Sequence, residues 1–246
     1  MIPLKRSNDR KTANGAMPSG KTPRVKNAFG LPAGSNFSCP GMTSVCENIC
    51  YANKLEKLFP GFRNAMESNW AAVKDASYDD LYEALNSMIA DFIADCEKWN
   101  VEKLFRIHHD GDFFSITYAK AWADVIRDNA EVTFWAYTRS FTNDVNVVPE
   151  FAELQNLSLY LSVDTANAND ALKIKKDNPW VKIAGLEITF DAAADIVKNI
   201  TGRNSVARCP ELNGAIPLID ERGGACKICS LCVTGKSDVT FSISKK

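Results

Sequence analysis

The stretch VEKLFRIHHDGDFFSITYAKAWADVIRDNAEVTFWAYTRS, residues 101–140, carries the pattern that decides the fold class. Its first part, 101–109, is a short apolar run typical of a buried strand, and 117–129 has apolar residues at helical spacing. Its last part, 132–140, is rich in β-branched and aromatic residues and indicates a second strand. A strand, a helix and a strand joined by short linkers predict a βα unit on a parallel sheet.

The same alternation extends on both sides of this unit. Further helices are predicted at 63–76, 79–100, 169–178 and 191–200. Further strands or short extended pieces are predicted at 157–164, 181–189, 206–210, 215–219 and 239–244. Ser77 and Asp191 are the predicted caps of the helices that follow them. The prediction is an α/β fold, either an open doubly wound sheet or a βα barrel, with functional groups at the carboxyl ends of the strands.

Size and composition narrow the class of protein. A chain of 246 residues that is 46% hydrophobic can bury one large core, and its net charge of -1 argues against a generic nucleic-acid coat. The start lacks the apolar core of a signal peptide, and no stretch has the roughly 18 apolar residues of a membrane span. We therefore expect a cytoplasmic protein with reduced thiols, in which the eight cysteines indicate metal binding rather than disulfides.

The N-terminal segment, residues 1–27, is strongly basic. It contains a single acidic residue, Asp9, and the following cations: Lys5, Arg6, Arg10, Lys11, Lys21, Arg24 and Lys26. Because it has no apolar periodicity, we expect a mobile or surface-draped arm that is either solvated or in contact with nucleic acid. The segment GAMPSGKT, 15–22, matches the P-loop pattern, but it lacks the preceding strand and following helix that a phosphate site needs, so we interpret the match as a coincidence.

A cysteine group near the C-terminus has the spacing of a metal centre. Cys226, Cys229 and Cys232 are separated by two residues each, and a distant cysteine followed by proline, Cys209, can supply a fourth thiolate. This is the ferredoxin arrangement for a closed 4Fe–4S cluster. A zinc ion held by the same four thiolates is the alternative.

A second cysteine group lies in CPGMTSVCENICYA, residues 39–52. Cys39, Cys46 and Cys50 offer three thiols with no obvious fourth ligand nearby, so a cluster held there would leave one iron open to a cofactor or substrate. Alternatively, Cys39 completes the C-terminal cluster, and the other two are ordinary core thiols. Cys96 lies on the apolar side of a predicted helix and is interpreted as a small hydrophobe.

The two histidines, His108 and His109, are consecutive in a predicted strand, so at most one of them faces a barrel interior. That histidine could move protons, ligate the first cluster or form a purely structural hydrogen bond. The aromatic residues of the turns and strands are predicted to be core rather than stacking platforms; they are Phe113, Phe114, Phe134, Trp135 and Tyr137.

Taken in order, these motifs resemble radical S-adenosylmethionine (radical SAM) proteins, and among them the phage family named after gene product 88 of a mycobacteriophage. The resemblance covers about residues 28–235. It is carried by the CPGMTSVCENICYA loop after a short extended piece, a long helix, a strand ending in GDFFS and a strand ending in YTRS. The cysteine spacing of six and then three residues differs from the three and then two that are usual for radical SAM proteins.

The resemblance implies a partial TIM-like barrel in which S-adenosylmethionine chelates the open iron of a three-cysteine 4Fe–4S cluster. It implies that the turn Asp110–Gly111–Asp112 receives the amino group of the cofactor. The matching strand ends that would contact the cofactor are Thr138, Arg139, Ser162, Asp164 and Glu187. Catalytic roles would fall to His108, Asp112 and Arg139.

The sequence thus predicts three regions: a basic arm at 1–27, a radical-SAM-like barrel at 28–205 and an auxiliary cluster segment at 206–246. The expected function is reductive cleavage of S-adenosylmethionine and radical chemistry on a substrate, with an electron donor as partner, in a phage-encoded protein of the host cytoplasm. The alternative is a non-catalytic module in which clusters or zinc ions hold the fold together and the basic arm recruits nucleic acid or a host protein.

Overall fold

The protein is described by a computed structural model over residues 3–14, 25–142 and 144–243. The helices are α1 Ser44–Ile49, α2 Tyr51–Leu58, α3 Pro60–Val73, α4 Tyr78–Trp99, α5 Ile116–Asp128, α6 Ala168–Asp177, α7 Phe190–Thr201 and α8 Ala225–Cys229. The strands are β1 Leu104–Ile107, β2 Thr133–Thr138, β3 Leu157–Val163, β4 Lys182–Glu187, β5 Ala207–Arg208, β6 Ile219–Asp220, β7 Gly223–Gly224 and β8 Val239–Ser242.

The main sheet has the strand order β1-β2-β3-β4-β8-β5, and all of its pairings are parallel. The helices α5, α6 and α7 connect its successive strands, so the predicted α/β class is confirmed. Within the described residues the sheet is open, with β1 and β5 at its ends, and it is not closed into a barrel. The strands β6 and β7 form a separate antiparallel pair.

An extended segment that leads into the first cysteine loop runs along the outer edge of β1. Ala28 forms a parallel bridge with Arg106, and the Phe29 amide donates to the Arg106 carbonyl oxygen at 3.1 Å. Farther along, the Leu31 amide donates to the Asp110 carbonyl oxygen at 3.0 Å. The cysteine loop therefore starts at the carboxyl edge of the sheet, where parallel strands place functional groups.

The two faces of the sheet are covered differently. One face packs against helices through a large core that includes Phe105, Phe134 and Leu161. The other face presents Trp135 and Tyr160 to a smaller apolar layer formed by the C-terminal segment. Because the side chains of a strand alternate between faces, β2 and β3 contribute to both layers.

The sequence predicted a boundary between residues 205 and 206, but the main sheet contains strands from both sides of it. The strand β8 pairs with both β4 and β5, so the C-terminal segment supplies two strands of the main sheet and also its second covering layer. The auxiliary segment is thus built into the fold by backbone pairing.

The expectation for the N-terminal segment was an arm that is either mobile or draped over the surface. Residues 3–14 agree with the second alternative, because they pack against the fold. Thr12, Ala13 and Asn14 are buried. The Asn14 side chain donates to the Glu102 carbonyl oxygen, and the Ala13 carbonyl oxygen accepts from the Gly224 amide at 2.9 Å. Two of its cations are in ion pairs, Arg6 with Asp95 at 2.7 Å and Lys11 with Glu211 at 2.8 Å. The P-loop-like segment 15–22 lies outside the described residues.

The helix caps agree with the sequence in one case and differ in another. Ser77 caps α4 by accepting from the Asp80 amide, as predicted. The prediction for α7 was wrong: Thr189 is the cap, and Asp191 lies in the first turn. Of the helices in the described residues, none combines the length and the apolar character that crossing a membrane requires.

Candidate functional site

Asp112 organises the carboxyl edge of the sheet between β1 and β2. Its Oδ1 accepts from the Thr138 hydroxyl and from the Phe113 amide, both at 2.7 Å, and its Oδ2 accepts from the Arg139 amide at 2.7 Å. Burial raises the pKa of Asp112 to about 6, although these hydrogen bonds oppose the shift. The end of β1 is therefore tied to the end of β2, as the sequence predicted for these strand ends.

Arg139 extends the network to β3 and to the first cysteine loop. Its Nη1 lies 2.5 Å from Asp164 Oδ2, and both groups are almost fully buried. The Thr43 hydroxyl donates to the same Asp164 oxygen at 2.6 Å and accepts from the Cys46 amide at 3.0 Å. Thr43 is the cap of α1, so the start of the helix that carries Cys46 is fixed to the ends of two strands.

The start of the cysteine loop contacts the turn after β1. The Ser38 hydroxyl donates to the Pro32 carbonyl oxygen at 2.8 Å and accepts from the Asp112 amide at 3.2 Å. Gly111 has a φ of +78°, and a Cβ there would overlap Ser38. Glycine is required at this turn because both the backbone angle and the close approach exclude a side chain.

Cys39, Cys46 and Cys50 are partly buried around this turn. Burial is the largest influence on all three thiols and raises their pKa. Asp112 adds to this rise at Cys39 and Cys46, and Asp110 adds to it at Cys39 and Cys50. Each of the three thiols thus has Asp110 or Asp112 as a charged neighbour, and without a cation they stay protonated.

Two buried ionisable side chains at this edge, Asp110 and Arg139, have unused hydrogen-bonding capacity. Asp110 is 3% exposed, and neither of its carboxylate oxygens has a hydrogen bond of good geometry within the described residues. Burial raises its pKa well above the ordinary value, and the nearby carboxyl of Glu56 adds to the rise. Arg139 Nη2 likewise has no acceptor among the described residues. The edge therefore offers a buried carboxyl that faces another carboxyl, and a guanidinium nitrogen without an acceptor, beside three thiols.

Ser162 and Glu187 are less closely connected to this network. Glu187 Oε1 accepts from the amide and the hydroxyl of Thr165, at 3.1 and 2.9 Å, so its bonds go to the loop after β3. The Ser162 carbonyl oxygen accepts from the Asn167 side chain at 3.1 Å. Ser162 itself pairs with Ala184 of the neighbouring strand β4. The structure brings Asp112, Thr138, Arg139 and Asp164 into one hydrogen-bonded chain, and these two residues lie beside it.

His108 is separated from the thiols. It has a φ of +57°, and its ring lies in the helix-packed core, with Nε2 3.0 Å from the Tyr118 hydroxyl oxygen. Burial lowers its pKa to about 3. His109 is also buried, burial lowers its pKa to about 4, and its Nε2 has no partner within the described residues. The geometry around His108 is that of a histidine with a structural hydrogen bond, which is one of the three interpretations that the sequence left open.

The C-terminal cysteines gather on the other face of the sheet. Cys226 and Cys229 lie in α8, and Cys232 follows shortly after. Burial raises the pKa of Cys232 to about 12, a hydrogen bond from the Tyr137 hydroxyl opposes the rise, and Cys209 and Cys229 add to it. The Cys232 thiol also contributes to the raised pKa of Cys226. The four cysteines predicted for the second site are therefore neighbours.

Among the described residues, no three His, Cys, Asp or Glu side chains are arranged to hold a single metal ion. A 4Fe–4S cluster is a different requirement, because each thiolate binds a different iron and the sulfurs stand farther apart than around one ion. Cys96 is fully buried in the core, as predicted. The aromatic residues Phe113, Phe134 and Trp135 are buried as predicted too.

These observations define the class of protein: an open parallel α/β sheet whose carboxyl edge is overlaid by a three-cysteine loop and whose second face is covered by a four-cysteine segment. The chain belongs to the gene product 88 family, whose model matches residues 3–235. It is 43% identical over 249 residues to the Gene 88 protein of Mycobacterium phage L5 and 42% identical over 250 residues to that of Mycobacterium phage D29, with 100% of each chain covered. No solved structure matches the chain significantly.

Three residues of the site were missed by the sequence analysis: Thr43, Glu56 and Arg106. Thr43 had a usable signal, because a threonine three residues before Cys46 can cap a helix that starts between them. Arg106 also had one, since a charged residue inside the short apolar strand Leu104–Ile107 needs a buried partner. The sequence around Glu56 does not indicate its role, because its partner, Asp110, is 54 positions away in the chain.

Proposed function

We propose that this protein is an iron–sulfur protein of the radical SAM type, with an open 4Fe–4S cluster at Cys39, Cys46 and Cys50 and S-adenosylmethionine bound beside it. The single observation that supports this most is the placement of two groups next to the three-cysteine loop: the buried carboxyl of Asp110, which faces the carboxyl of Glu56, and the Arg139 Nη2, which has no acceptor among the described residues. In this proposal, the open sheet corresponds to the partial barrel of radical SAM proteins.

Burying a polar group without a partner has a cost. A buried carboxylate or guanidinium nitrogen without a partner is destabilising by about 1–3 kcal/mol, and by more for a charged group. A ligand that pairs with such a group removes this cost. An α-amino acid end carries an ammonium donor and a carboxylate acceptor, so it complements an unpaired carboxylate and an unpaired guanidinium nitrogen. S-adenosylmethionine has such an end, and a free amino acid has it too.

The thiols add the second requirement. Buried and next to carboxylates, they are poor thiolates by themselves, but a bound cationic centre would reverse this balance. Cys46 is held by the cap of α1, and Cys39 follows directly after Ser38, whose hydroxyl bridges two backbone groups. Their backbone is therefore positioned before any metal binds, which lowers the entropic cost of assembling a site.

When bound, the cluster and S-adenosylmethionine would supply one-electron reductive cleavage of the cofactor followed by hydrogen abstraction from a substrate. Asp110 would orient the ammonium group, and Arg139 would orient the carboxylate while Asp164 holds its Nη1. Asp112 and Thr138 keep the two strand ends together. An electron donor is a required partner in this proposal, and the host cytoplasm is the proposed location.

The second cysteine group is proposed to hold a closed 4Fe–4S cluster at Cys209, Cys226, Cys229 and Cys232. A zinc ion at the same thiolates, within a non-catalytic binding module, is the alternative left open by the sequence, although the side chains of the described residues are not arranged around a single ion. The two differ in a simple measurement, because a zinc-loaded protein is colourless and a cluster absorbs visible light.

The experiment that tests the cofactor site measures binding of S-adenosylmethionine to the anaerobically reconstituted protein. We expect Asp110→Asn to weaken binding by about 10- to 100-fold, the equivalent of a lost charge-assisted hydrogen bond of about 1.5–3 kcal/mol. The matched control is Asp124→Asn on the exposed face of α5, where the carboxylate pairs with Arg127, and it should bind normally. Equal binding by both variants, or no 5′-deoxyadenosine from the reduced wild-type protein, would contradict the proposal.

A further inference from the structure

A buried arginine lies between the two cysteine groups. Arg106 projects from β1 toward the face that the C-terminal segment covers, and its side chain is 12% exposed. Its Nη1 lies 2.5 Å from Asp9 Oδ2, and its Nη2 lies 3.4 Å from the Tyr51 hydroxyl oxygen. Tyr51 directly follows Cys50, so this hydroxyl joins the arginine to the first cysteine loop.

On its other side, Arg106 faces Tyr137. The guanidinium carbon lies 5.6 Å from the centre of the Tyr137 ring, within the range of a cation–π contact. Tyr137 packs in the same apolar layer as Cys209 and Cys232, and its hydroxyl is close enough to the Cys232 sulfur to lower the pKa of that thiol, against the effect of burial. The charge of Arg106 also acts on Cys226.

The sequence analysis gave neither residue a functional role, and Tyr137 was interpreted as core. A tyrosine with only a packing role has no need of a hydroxyl directed at a sulfur. An arginine on a covered face of the sheet is costly unless its charge is used, because removing a guanidinium from water costs several kcal/mol. Asp9 partly compensates that charge, and it comes from the N-terminal segment, 97 positions away in the chain.

We propose that Tyr137 and Arg106 are positioning residues that raise the reduction potential of the metal centre at Cys209, Cys226, Cys229 and Cys232, and that Asp9 lowers it by partly neutralising Arg106. This inference rests on the proposed cluster at those four cysteines. On reduction, such a centre gains one electron and hence one negative charge, which a hydrogen-bond donor and a nearby cation stabilise. A nearby anion has the opposite effect.

The test is a potentiometric titration, followed by electron paramagnetic resonance, of the full-length reconstituted protein. We expect Tyr137→Phe to shift the potential of the C-terminal centre to more negative values. We expect Asp9→Asn to shift it to more positive values, because Arg106 then keeps its full charge. Shifts of the potential in opposite directions distinguish this role from a structural one, because misfolding does not predict opposite signs for the two substitutions.

The matched control is Tyr160→Phe. Tyr160 lies in the same layer, its ring 5.4 Å from that of Tyr137, but its hydroxyl donates to the carbonyl oxygens of Leu231 and Ser237. This control should leave the potential nearly unchanged. If the cluster is bound and its potential is the same in the wild type and in Tyr137→Phe, this inference alone is overturned. The same holds if Tyr160→Phe shifts the potential as much as Tyr137→Phe does. A wild-type protein that binds no iron overturns the proposed function and this inference together.

Discussion

The burial of His108 makes a quantitative prediction about stability at mildly acidic pH. Its ring lies among Phe113, Tyr118 and Trp122, and burial lowers its pKa from 6.5 to about 3. The unfolded chain therefore binds a proton at this residue between about pH 6.5 and pH 3, while the folded chain does not. Stability from this residue is fully present above pH 6.5 and is lost as the pH falls through that window.

The size of the effect follows from the two pKa values. One unit of pKa difference is worth about 1.36 kcal/mol, so at pH 5 the unfolded state gains about 2 kcal/mol from protonating this histidine. Asp112 opposes the acid sensitivity, because its pKa is raised to about 6 and the folded state therefore takes up a proton there. The wild type alone is thus a poor test, and the difference between wild type and a variant is the useful quantity.

We therefore propose urea unfolding of metal-free wild type and His108→Gln, at pH 7.5 and at pH 5. Glutamine can keep the hydrogen bond to Tyr118 and does not titrate, so Asp112 contributes equally to both proteins. The wild type should lose about 2 kcal/mol more than the variant on going to pH 5. An identical loss in both proteins would refute the burial of this ring. His109→Gln should behave similarly, since burial lowers the pKa of His109 to about 4.

Two further predictions concern the cysteine loop and a helix cap. Gly41→Ala should destabilise the fold by about 2 kcal/mol in chemical unfolding, because its Cβ would overlap the Arg139 carbonyl oxygen. Gly61→Ala is the control, because a Cβ at this position meets no atom within 4 Å, and it should be neutral or stabilising by up to about 1 kcal/mol. If both variants lost the same free energy of unfolding, the loop around Gly41 would not be closely packed. Thr189→Ala should cost about 1 kcal/mol and Asp191→Ala less than about 0.5 kcal/mol, and the reverse order would identify Asp191 as the cap.

Much of the parallel sheet could be predicted from the sequence. The apolar runs of β1 to β4 and the amphipathic helices α5, α6 and α7 each have a periodicity that is a local property of the chain. The convergence of Asp112, Arg139 and Asp164 could be predicted as well, because the carboxyl ends of neighbouring parallel strands meet at one edge. The resemblance to the gene product 88 family is confirmed by the comparisons.

The rest depended on partners that are distant in the chain. The strand β8 pairs between β4 and β5, an order that no local pattern records. The N-terminal segment looked mobile because its composition is polar, yet Asp9 is held by an arginine that follows much later. His108 looked like a site residue because it ends a strand, but its left-handed backbone turns the ring into the core. In each case, a tertiary contact overrode the local signal.

The most direct test of the central claim is the iron and sulfide content of the anaerobically reconstituted protein and of three single variants. The account predicts about eight irons per wild-type chain, about four in Cys46→Ala and about four in Cys229→Ala, because each substitution removes one of two separate clusters. Cys96→Ala, which removes a core thiol, should retain about eight. Iron content that is zero in the wild type, or that falls equally in Cys96→Ala, would contradict the account.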